Sequence, residues 1–186
     1  METVEDLVQK EPVAKEIQER LDRLAQLTGG RIALVNARGQ IILESEAPAW
    51  ANLIKLGDQV EPKLTEEWLE IGRVLTSRPQ PLFIESNLGL IAFWMPIKEP
   101  GQILGGLLGY GGFFDDRPGP GLQSQKEEDL YHLLDLAAAK VVWEDYQEAI
   151  KGMNFVRPQY LEEQAAFLAS VIDVLMTENL IKNVQV

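Results

Sequence analysis

Residues 89–114 read GLIAFWMPIKEPGQILGGLLGYGGFF, and this stretch limits the fold more than any other. It lacks the roughly 20 unbroken apolar residues of a membrane-spanning helix, and it is too apolar to be an ordinary loop. Two strands joined by a turn satisfy both limits. Residues 89–98 and 102–112 are the strands, and KEPGQ turns between them on Gly101, where a positive backbone angle is needed. Along the first strand, Leu90, Ala92, Trp94 and Pro96 point one way, and Ile91, Phe93, Met95 and Ile97 the other. Both sets are apolar, so each sheet face needs a covering layer. Which face holds a pocket is left open by the pattern.

Trp94 beside the small Ala92 suggests a slot with an aromatic wall, and Phe93 is the alternative wall because neighbouring strand residues face opposite ways. Binding sites are mostly apolar with a few polar groups. Glu85, Ser86, Asn87 and Tyr110 lie close enough in sequence to supply them, with Trp50 from the connecting segment.

The rest of the chain supplies the layers. Val13, Ile17, Leu21, Leu24 and Leu27 mark a helix over 13–28 that Gly29-Gly30 stops. RIALVN and IILES around a Gly-bearing turn form a hairpin, 31–36 and 41–45. Residues 46–62 read as a loop or short helix carrying Trp50, Leu53 and Leu56. TEEWLEIGRVLTSR is a helix with Thr65 as its cap, ended by Pro79 and Pro81, and LFIES is a strand. DDRPGPG breaks the sheet at 115–121, and helices over about 124–150 and 158–182 follow. In the last of these, Leu161, Ala165, Leu168, Ile172, Leu175 and Asn179 form a two-per-heptad seam. It suits a helix of a second copy, and the alternative is that it folds back onto its own sheet. Antiparallel strands interrupted by helices belong to the α+β class, and no βαβ alternation supports a parallel sheet.

Seventeen basic against 29 acidic residues give a net charge of −12, which disfavours nucleic acid and anionic lipid as partners. Cysteine is absent, which removes disulfides, thiolate metal sites and cysteine nucleophiles together. METVEDLVQKEPVAKEIQER is charged and amphipathic rather than a signal peptide, and a cytoplasmic location is expected.

LAQLTGGRIALVNARGQIILES resembles the opening of GAF-like sensory domains. RPQPLFIESNLGLIAFWMPIKEPGQILGGLLGYGGFF resembles the PocR-type branch more closely. Gly89-Leu90 and Pro96-Ile97 stand seven residues apart, with the turn and Gly105-Gly106 after them. The resemblance spans about residues 13–115 and implies binding of a small neutral organic ligand. Ser86 stands where that family commonly has cysteine, and Ala92 where it commonly has an acidic residue. A metal or redox role resting on that cysteine is not implied for this chain.

Other motifs have plainer explanations. The glycines of GGLLGYGG lie within a strand pattern, where they permit a bulge or close approach, rather than in a phosphate-binding turn. His132 shares a helical face with Glu128 and Asp135, but a solvated face with ion pairs explains the trio better than a metal. The doublets Glu66-Glu67, Asp115-Asp116 and Glu127-Glu128 fit helix dipoles rather than acid–base pairs. No serine has a nucleophile elbow. The expectation is a non-enzymatic, GAF/PAS-like α+β sensory domain over 1–150 and a dimerising or signal-transmitting helix over 151–186. Neither cofactor nor metal is expected. Its partners would be a small organic ligand, a second copy, and an output domain or signalling protein. The competing class is a GAF-like or roadblock-like interaction scaffold without ligand.

Overall fold

The computed structural model describes residues 4–46, 48–115 and 122–184. Its elements run α1 (Val4–Val8), α2 (Glu11–Thr28), β1 (Arg31–Asn36), β2 (Ile41–Glu44), α3 (Pro48–Ile54), α4 (Val60–Leu75) and β3 (Leu82–Glu85). There follow β4 (Ile91–Glu99), β5 (Gln102–Tyr110), β6 (Phe113–Phe114), α5 (Leu122–Leu133), α6 (Trp143–Ile150), β7 (Phe155–Val156) and α7 (Pro158–Val184). The apolar stretch is the β4–β5 hairpin, and its turn holds Gly101 at φ 89°. Around it the sheet has the order β2-β1-β5-β4-β3, with every neighbouring pair antiparallel. This is the α+β, GAF/PAS-like class expected from the order of elements.

The two faces of β4 sit in two separate cores. Ala92 and Trp94, with Ala33, Val35, Leu108 and Tyr110, face α3, α4, α5 and α6. Ile91, Phe93, Met95 and Ile97, with Ile32, Leu34 and Leu107, face α2 and α7. Burying each large side chain contributes about 1.5–3 kcal/mol, so both layers are needed to hold the sheet. The α7 seam is part of the second core: Leu161, Ala165, Leu168 and Ile172 are buried against the sheet. The fold-back alternative therefore describes this stripe, and the seam is not open to a second copy. Asn179, the last seam residue, lies outside the described side chains.

Several boundaries differ from the sequence reading. Helix α4 begins at Val60, so Thr65 is inside it and caps nothing. Pro62 is tolerated there because a first-turn residue has no intrahelical N–H bond to lose. The short helix α3 carries Trp50 and Leu53 but stops before Leu56. A single helix over 124–150 is replaced by α5 and α6, separated where Asp135 and Lys140 take left-handed φ of 60° and 62°. A two-stranded parallel pair, β6 with β7, was not foreseen. Of the expected break at 115–121, residues 116–121 lie outside the described residues.

Two glycines of β5 explain how bulky rings fit a close-packed sheet. A Cβ on Gly109 would stand 2.0 Å from Phe93 Cε1, and one on Gly106 would stand 2.4 Å from the Trp94 ring. Each ring lies over the neighbouring strand on its own face. Overpacking of this kind costs about 1–3 kcal/mol. Gly109→Ala should therefore lower the denaturation midpoint by a corresponding amount, and adding Phe93→Leu should recover part of the loss. An unchanged midpoint for Gly109→Ala would mean that Phe93 does not occupy this groove.

Candidate functional site

Helix α4 presents Leu64, Trp68, Ile71 and Leu75 to the sheet, and Glu67 falls within that apolar stripe. Its residue is only 8% exposed, which makes it the sole buried acidic residue among those described. A buried carboxyl group needs donors, and three converge on it. Oε1 accepts from the Leu88 N–H at 3.0 Å, and Oε2 accepts from the Ser86 hydroxyl at 3.1 Å. The Tyr110 hydroxyl also donates to Oε2. Ser86 Oγ in turn accepts from the Leu90 N–H at 3.3 Å. Burial, and then the negative charge of Glu67, push the Tyr110 hydroxyl well above its ordinary range.

The β3–β4 connection forms the outer wall of this network. The Ser86 N–H donates to the Leu90 carbonyl at 2.7 Å across it, and Gly89 turns with φ 74°. Clefts open on both sides of the turn, and Glu85, Ser86 and Asn87 line both. One, of about 400 Å³, is completed by Lys126, Asp129 and His132 from α5. The other, of about 160 Å³, has Glu67 in its lining beside Glu70 and Ile71. Lys126 pairs with Glu85 at 3.2 Å.

Behind Glu67 lies an aromatic cluster. Tyr110 meets Trp68 with ring centroids 6.2 Å apart and Trp50 at 6.5 Å, the latter edge-on. The Arg31 guanidinium stands 5.0 Å from the Trp50 ring centroid and 5.1 Å from that of Trp68. It is held there by Glu44, whose Oε2 accepts from Arg31 Nη2 at 2.8 Å. Trp50 is 6% exposed, and its Nε1–H is buried without an acceptor.

The eight residues singled out in the sequence thus separate into groups. Glu85, Ser86 and Asn87 come together at the turn, and Ser86, Tyr110 and Trp50 are joined to the Glu67 network or its aromatic backing. Ala92 and Trp94 share this sheet face but line neither turn cleft. The Trp94 Nε1–H donates to the Arg78 carbonyl at 2.8 Å. Phe93 is on the other face, stacked on Phe83 at 5.2 Å. Glu67, Trp68 and Arg31 were missed. The signal for Glu67 was its spacing, three residues after Leu64 and four before Ile71, which puts a charge within the apolar face.

The His132 trio does not come together on one helical face. His132 meets Glu128 at 3.8 Å on exposed surface, whereas Asp135 lies beyond the helix end. Among the described residues, no group of three or more His, Asp or Glu is placed to hold a metal. Nor is any described helix long and apolar enough to cross a membrane.

An antiparallel sheet roofed by helices on both faces, with a polar and aromatic network let into one of them, defines a GAF/PAS-like α+β domain. More narrowly, the family described as "Sensory domain found in PocR" matches residues 13–180, and the chain belongs to it. The match runs from α2 through α7, and it gives the chain a sensory or regulatory role in a family that is typically non-catalytic. No curated protein matches the sequence significantly.

The phenols provide a direct check of the network. Tyr146 is raised like Tyr110, by burial and then by the charge of Glu127. An unfolded tyrosine loses its proton near pH 10, whereas these two retain theirs in the native chain. Their contribution to stability is therefore complete below about pH 10 and is lost as pH rises further. Alkaline titration followed by phenolate absorbance should show two fewer ionising tyrosines before unfolding than after it. Tyr110→Phe should reduce that deficit to one. A full phenolate yield from the native protein would refute the buried pairing.

Proposed function

We propose that the domain binds a small organic molecule on the sheet face covered by α3 and α4. Glu67, Tyr110, Ser86, Trp50 and Trp68 provide the contacts, and Glu85 and Asn87 border the entrance beside the β3–β4 turn. The observation that carries this reading is the buried Glu67, a hydrogen-bonded acid in an otherwise apolar core. Such a group is costly to bury and adds nothing to hydrophobic packing. Ala92 and Trp94 form the far wall. The domain has no catalytic role in this reading, acts in the cytoplasm, and passes occupancy to an output partner in signalling or transcription control.

The scaffold reading draws support from one feature, the Trp94 ring lying over Gly106 where a ligand would have had space. Native mass spectrometry of protein purified from its host decides between the two. A retained small molecule is expected, and Glu67→Gln and Tyr110→Phe should each lose it while keeping a cooperative melt. Protein that carries no molecule, and whose melting is unmoved by a broad set of small metabolites, would favour the scaffold. Trp94→Ala is a poor test here, since deleting a fully buried Trp costs about 3–5 kcal/mol in folding alone.

Pairing of two copies fits the outward face of α7 rather than its buried seam. Tyr160, Phe167 and Val174 recur there at seven-residue steps and are 47%, 60% and 51% exposed. Tyr160 and Phe167 flank a groove of about 200 Å³ between α2 and α7, bordered by Arg20 and Arg23. A second copy would bury this stripe two-fold symmetrically. Sedimentation at micromolar concentration should show a dimer that Phe167→Glu converts to monomer. A dimer unaffected by that change, or a native monomer, would remove this surface from the account.

A further inference from the structure

The aromatic cluster has the composition of a cation site, and in this structure a cation already occupies it. Arg31 places its guanidinium about equally far from the Trp50 and Trp68 rings, at 5.0 and 5.1 Å. Distances within about 6 Å of a ring centroid are those of cation–π attraction, which strengthens when the group is desolvated. Trp50 and Trp68 are 6% and 3% exposed, so the ring walls are dry. Tyr110 closes the cluster, and its hydroxyl donates to the Glu67 carboxylate, which sets negative charge behind the third ring.

We propose that Trp50, Trp68 and Tyr110 form a cage for the ammonium group of a small organic cation, which takes the place of the Arg31 guanidinium. The inference rests on the reading of this face as the ligand site and adds the chemical class of the ligand. Arg31 is suited to leave: its side chain is 22% exposed, so the guanidinium can move out into water once its pair with Glu44 on the edge strand β2 opens. The buried Trp50 Nε1–H adds a second requirement, since it lacks an acceptor. A ligand with a hydroxyl or carboxylate near its ammonium group would supply one. The net charge of −12 favours approach of such a ligand over that of an anion.

Choline tests the proposal, with dimethylbutanol as its uncharged carbon isostere, by titration of tryptophan fluorescence. Arg31→Ala vacates the cage and should bind choline about tenfold or more tightly than the native chain does. In that background choline should exceed dimethylbutanol by a similar factor, and Trp68→Leu should remove the difference. Glu44→Gln loosens Arg31 without touching the cage, so it should give an intermediate gain even where Arg31→Ala folds poorly. Equal binding of choline and its isostere overturns the cation class and leaves the ligand-binding reading intact. So does failure of both probes on protein that retains a small uncharged molecule from its host. Failure of both probes on protein that retains nothing overturns both readings.

Discussion

Everything in this fold depends on one strand being apolar on both sides. Residues 91–97 of β4 are all buried, so the central hairpin has no face to give to water. A sheet of this kind is stable only between two layers, and the chain provides them from different regions. The segment between β2 and β3, with α5 and α6, covers one face, and the two long helices α2 and α7 cover the other. Gly106 and Gly109 extend the same constraint to the next strand. With Trp94 and Phe93 laid across them, neither position can accept a side chain without displacing a ring.

Against that apolar background the Glu67 network stands out physically. The helix-covered face could have been closed by a leucine, as at Leu64 one turn earlier. Instead a carboxyl group there binds a hydroxyl from β5 and two groups from the β3–β4 turn. Removing any one donor leaves a buried acceptor short of partners, at about 1–3 kcal/mol. The turn is thereby tied to the sheet by polar bonds that have direction, whereas apolar contacts would only hold it close. This sets the position of Ser86 between the two clefts and brings the turn into the proposed site.

How much of this the sequence disclosed follows from the length scale of each signal. Alternation over the eight residues 90–97 revealed β4 and its two faces, and the glycine and proline pairs carried the resemblance to the PocR-type family. The α7 seam was legible as an apolar stripe, yet a stripe looks the same whether a helix or a sheet covers it. Only the position of Phe93 and Met95 beneath α7 distinguishes the two. The segment between α5 and α6 was misread because LLDLAAAKVV has high helix propensity, which two left-handed residues override. Two-residue strands such as β6 and β7 are too short to carry a period. Glu67 escaped because a Glu-Glu doublet resembles an exposed helix start. Its burial depends on where α4 begins, and that start lies five residues before Thr65.

The shared strands also bear on how a site on one face could influence the other. Ala92 and Trp94 look toward α4, while Phe93 and Met95, between and beside them, look toward α7. Interiors packed to crystal density transmit displacement rather than absorb it. A shift of β4 at Trp94 therefore moves Phe93 against its neighbours, because Gly109 leaves that ring no slack. A second connection runs through Arg31, whose partner Glu44 also accepts, through its backbone carbonyl, a 2.9 Å bond from Gln18 of α2. Both routes start at the α3–α4 side and end on the helices of the opposite layer. On the proposed reading, a change of occupancy in the aromatic cluster would act on α2 through this polar chain and on α7 through the strand itself, with no need for the layers to separate.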